Sequence, residues 1–113
     1  MGADAGGLQL PEGFAELERF VSDWALGSEQ ERNHKRLTSS MEELQIFYDA
    51  MLLSMEAIVT HLTRFRLVDL PLPEQRLLAL TLSLMEVAPA VEVYGTPDVP
   101  NAIAASRFLI RSP

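Results

Sequence analysis

Cysteine is absent from this 113-residue chain, which excludes disulfides, thiol catalysis and Cys-ligated zinc. The absence also fits a reducing cytoplasm. Positive charge is scarce as well: 9 Lys and Arg stand against 16 Asp and Glu, for a formal net charge of −7. A chain so acidic is repelled by the phosphate backbone that dominates nucleic-acid affinity, so no nucleic-acid partner is expected. Its only basic cluster, Arg32, His34, Lys35 and Arg36, lies beside Glu29 and Glu31 with no aromatic residue to stack a base, and reads as a solvated helix surface.

Long apolar runs are missing too. The richest, Leu77 to Val87, is interrupted by Thr81, Ser83 and Glu86 and is too short to span a bilayer, so no membrane insertion is expected. The N-terminal residues lack the basic and apolar regions of a signal peptide. Phosphate loops, dinucleotide fingerprints, nucleophile elbows, H-E-x-x-H pairs and calcium-loop patterns are likewise absent. The only histidines, His34 and His61, would stand roughly 40 Å apart on one straight helix and so could not share a metal.

What is present is helical periodicity in a chain with 48% hydrophobic and 22% charged residues, a globular composition sized for one domain. Residues 1–10, with three glycines and no sustained period, read as a mobile arm, and residues 11–113 as a single helical domain. Phe14, Leu17, Phe20, Val21, Trp24 and Ala25 recur every three or four positions and predict a helix over about 13–26. Trp24 belongs to that core stripe. Gly27 is the expected stop, through the left-handed conformation that glycine adopts freely.

Ser28 and Glu31 form an S-x-x-E capping box that opens a second helix. Leu37, Met41, Leu44, Tyr48, Met51, Met55, Ile58 and Leu62 then alternate steps of four and three in a heptad seam. Unbroken to about residue 63, this helix would be roughly 50 Å long, against a diameter near 35 Å for a compact domain of this size. It must protrude or break. Ser39 with Glu42, or Ser40 with Glu43, could cap a new start near Thr38, but the Leu37 to Met41 step stays in register and favours continuity. After a loop carrying Pro71 and Pro73, a third helix is expected over about 73–88, ended or kinked by Pro89. Val91 to Tyr94 fits one helical turn or a short extended piece, and a short C-terminal helix is expected over about 98–106. The fold class is therefore all-α, a small bundle built on one long central helix.

Glu42, Asp49 and Glu56, spaced seven apart, form an acidic line along the second helix. Inward-facing carboxylates of this kind hold metals in helical bundles, but those sites also use Glu-x-x-His pairs, and none occurs here. The line reads as a solvated face, with no metal or cofactor expected. Glu86 is the lone charge in the apolar run of the third helix. Helical spacing with Ala79, Ser83 and Ala90 makes it a solvated or interface-edge carboxylate first, and a general acid or base in a pocket with Tyr48 or Tyr94 second.

Ile46, Phe47, Leu52, Leu53 and Val59 flank the heptad seam and leave mainly the acidic line for water. A helix apolar on most sides must be covered on most sides, and the remaining elements supply too little surface. These five residues are the expected interface of a non-enzymatic interaction protein, either a homodimer or an accessory subunit of another protein. The alternative function is a small-molecule-binding protein or small enzyme whose pocket lies between the second and third helices.

Overall fold

The computed structural model describes residues 9–94, of which 79% are helical, with no strand among them. The expected C-terminal helix and most of the N-terminal arm lie outside the described residues. The last two residues of that arm, Gln9 and Leu10, are packed in place. The Gln9 carbonyl accepts from Arg76 at 2.8 Å, and Leu10 is buried with its N–H donated to Glu18.

The first segment is a 3₁₀ helix over Ala15–Phe20 that passes into a single α turn, Val21–Trp24 (α1). This corrects the expectation of one α-helix over 13–26. Three residues per turn place Phe14, Leu17 and Phe20 directly above one another, and all three are buried. The same spacing also fits an α-helix, which is why the sequence did not separate the two. Gly13, with φ of 99°, turns the chain into this segment, and the Phe14 N–H closes that turn on the Pro11 carbonyl. Gly27 does not take the left-handed role. The residue closing α1 is Ala25, and the Gly27 N–H instead donates to Glu31.

The long central helix is two helices, α2 (Glu29–Thr38) and α3 (Met41–Leu62). Ser39 and Ser40 both adopt extended backbone, with ψ of 153° and 162°. Ser40 then makes a complete capping box with Glu43. The longest dimension of the molecule is 44 Å, so an unbroken helix of about 50 Å would have projected from it. With the chain turned at the serines, Leu37 leaves the seam it seemed to begin and is 43% exposed. Arg36 is turned inward and buried, so the basic cluster is only partly a solvated face. Its Nε donates to the Glu86 carboxylate at 2.9 Å, and Asn33 reaches the same oxygen.

A 3₁₀ turn at Leu67–Asp69 leads to α4 (Leu72–Pro89), with Pro73 in its first turn as expected. Pro89 supplies no N–H and crowds the preceding turn, and the chain continues past it in the wider winding of a π turn, Ala90–Tyr94.

The core forms where α1, α3 and α4 meet. Leu44, Phe47, Met51 and Ile58 of α3 and Leu77, Leu80 and Val87 of α4 are fully buried. Phe47 stacks on Trp24 with centroids 4.5 Å apart and meets Phe20 edge-on at 5.4 Å. Ser83, buried in α4, donates its hydroxyl to the Trp24 carbonyl, an otherwise orphaned acceptor at the end of a one-turn helix. Phe47→Ala should therefore cost about 3–5 kcal/mol in urea unfolding, whereas Leu53→Ala, on the outer side of α3, should stay within about 0.5 kcal/mol. Equal losses at the two positions would contradict this assignment of inside and outside.

Candidate functional site

At 100° per residue, the five expected interface residues of α3 point in three directions. Phe47 belongs to the intramolecular core, since its ring is covered by Phe20 and Trp24 of the same chain. Its place on an interface is corrected accordingly. Ile46 and Leu53 share one flank, 48% and 90% exposed. Leu52 and Val59, each about half exposed, lie on the opposite flank, about 120° away. The exposed Glu42, Asp49 and Glu56 run between the two flanks. The flank of Ile46 and Leu53 continues through Ala57 into a cleft of about 590 Å³, whose far wall is the N-terminal turn at Glu12, Gly13 and Phe14.

Of the three expected pocket residues, Glu86 and Tyr48 are not brought together in one site. Glu86 is turned toward α2, where Arg36 and Asn33 hold it. Tyr48 faces the other way and donates its hydroxyl to Glu92 in the π turn. Tyr94 ends that turn, and its side chain lies outside the described residues. Glu86 is thus neither a solvated carboxylate nor a free acid or base. It is half of a mostly buried ion pair that fastens α2 to α4.

A second cleft, of about 450 Å³, lies between α1 and α2 against Ser22, Asp23, Leu26, Gln30, His34 and Lys35. Neither cleft is lined by Tyr48 or Glu86. No protein-family model, curated protein or solved structure matches this chain.

The two histidines stand on different helices once the chain breaks at the serines. His34 borders the cleft of α2. His61, at the end of α3, pairs with the buried Glu74 at 2.8 Å and packs between the rings of Phe14 and Phe65. Sequence reasoning missed both cross-helix pairs, Arg36 with Glu86 and His61 with Glu74. The available signal was that Glu74 and Glu86 are the only acids of α4, on a helix otherwise rich in leucine. Among the described residues, no three His, Asp or Glu side chains converge as a metal site.

Two measurements check this arrangement. Because its hydroxyl is bonded to the Glu92 carboxylate, the Tyr48 phenol is held above its ordinary pKa of 10.0; partial burial and the charges of Glu92 and Asp49 push the same way. A raised phenol pKa gives a stabilising contribution that is complete below the ordinary value and lost as pH rises through the folded one. In a Tyr94→Phe background, adding Glu92→Gln should lower the midpoint of tyrosinate formation followed by ultraviolet absorbance. An unchanged midpoint would mean that Glu92 does not hold the phenol. EDTA should leave the melting temperature unchanged, and a fall of several degrees reversed by a divalent ion would reveal a metal site.

Proposed function

We propose that this protein is a non-enzymatic helical interaction protein that binds another chain through the exposed apolar surface of α3, in the cytoplasm. The observation that carries this reading is the placement of Leu53, which is 90% exposed at the middle of the longest helix, with Ile46 one heptad before it. A single exposed leucine is ordinary, but a leucine and an isoleucine seven residues apart on one face give a partner helix two anchors in line. Burial of the exposed Leu53 is worth roughly 1.5–3 kcal/mol, and covering the half-exposed Ile46 about half as much.

A non-enzymatic reading is supported by the fate of the groups best suited to acid–base work. Glu86 is engaged by Arg36, His61 by Glu74 and Tyr48 by Glu92, each in a contact that joins helices. Among the described residues, no helix is long and apolar enough to cross a membrane.

Two occupants of the surface fit this function, a second copy of the chain in a homodimer or a different protein to which the chain is an accessory subunit. Native mass spectrometry of the chain purified from its own cells should show a stoichiometric protein partner. That partner should be lost from the variant Ile46→Glu, Leu53→Glu, which keeps its helical circular dichroism. Sedimentation at micromolar concentration tells a second copy from a different chain. A monomer without a protein partner, a partner indifferent to these substitutions, or a retained small molecule in place of a partner would overturn the reading.

A further inference from the structure

On α3 the outward residues form a second seam, distinct from the one that enters the core. Ile46, Ala50, Leu53, Ala57 and Thr60 follow steps of four, three, four and three, so they occupy consecutive d and a positions of a heptad on the outer side of α3, with Ala50 at its inner edge against the core. Ala57 and Thr60 are exposed and Ala50 is partly buried. Ile46 and Leu53 at d alternate with Ala50 and Ala57 at a, and the small a residues allow close approach of another helix. In the same register the g positions are Glu42, Asp49 and Glu56, all exposed and all acidic. The e positions are Phe47, which is buried, and Ser54 and His61, which are half-buried; none is Lys or Arg, and His61, which also lines the groove, is paired with Glu74. Across the groove at Leu53 and Ala57 the wall adds another carboxylate, Glu12. Arg64, the one Lys or Arg in the lining, lies past Thr60, beyond the end of the seam.

We infer that this seam docks a cationic amphipathic helix of another protein, with apolar residues at its own a and d positions and Lys or Arg opposite Glu42, Asp49 and Glu56. The inference rests on the proposed interaction function and names its partner class. Charge decides against a second copy here. Antiparallel pairing of two α3 helices would set their acidic g lines against each other, and parallel pairing would face each g line with e positions that hold no Lys or Arg. The whole-chain charge of −7 opposes both arrangements. A basic helix instead places an opposite charge at each heptad and covers Leu53 with the same contact.

The test uses the full chain and two designed helical peptides of three heptads that share one Leu/Ala seam, one with Lys and one with Glu at the e positions. Fluorescence anisotropy should show the Lys peptide binding at least about tenfold more tightly, a difference near 1.4 kcal/mol. The margin should shrink as salt rises from about 0.05 M to about 0.5 M. Leu53→Glu, fully helical by circular dichroism, should abolish binding, and the triple variant Glu42→Lys, Asp49→Lys, Glu56→Lys should prefer the Glu peptide. If both peptides bind equally and Leu53→Glu abolishes both, the cationic partner is wrong and the docking function stands. If neither peptide binds the native chain, or a self-associated chain sensitive to Leu53→Glu occupies the seam, the inference is overturned. Where the chain is also monomeric and without a partner from its own cells, the proposed function falls with it.

Discussion

Phe47 is the side chain on which the assembly of this fold depends. Its ring lies flat on Trp24 and edge-on to Phe20, so the irregular N-terminal segment and the longest helix share one aromatic contact. Such pairs contribute about 0.5–1.5 kcal/mol beyond the area they bury. Ser83 then ties α4 to the same point through the Trp24 carbonyl, and the Lys35 ammonium sits 5.1 Å from the indole centroid, bringing α2 to its other side. Each of α1 to α4 therefore touches the pair formed by Phe47 and Trp24 or the backbone carrying it. A four-residue helix such as α1 could not persist alone, and it persists here because its one tryptophan is gripped from three directions.

The polar cross-links work at the periphery of that core. Arg36 and Glu86 are both mostly buried, where their geometry selects the angle between α2 and α4 more than it adds net stability. His61 with Glu74 does the same where the chain leaves α3 and returns as α4. Tyr48 and Glu92 hold the π turn that follows Pro89. With these groups engaged, the chemistry left on the outer side of α3 is a line of apolar side chains beside a line of carboxylates.

Much of the architecture was legible because it depends on neighbours in the chain. The capping serine Ser28 bonds the third residue that follows it, a local event that the S-x-x-E pattern encodes, and the same pattern offered Ser40 as one of two caps for a break. Pro73 in the first turn of α4, the heptad run from Leu44 through Met51 to Ile58, and the absence of strand-like alternation belong to the same class. The acidic line was also legible, since a seven-residue spacing needs only the helix to become a face.

By itself, then, the sequence determined an all-α chain, the Ser28 cap, the core seam of α3 from Leu44 to Ile58, and a strongly acidic chain. Tertiary structure alone decided where two allowed continuations part. Leu37 to Met41 keeps heptad register whether or not the helix breaks; the chain breaks at Ser39 and Ser40, and α2 folds back with Arg36 against Glu86. Phe14, Leu17 and Phe20 suit two windings, and Phe47 and Ile46, adjacent in sequence, were equally apolar candidates for an interface. Only the position of Trp24 put Phe47 inside and left Ile46 and Leu53 outside, because which side of a helix is covered is set by what packs against it.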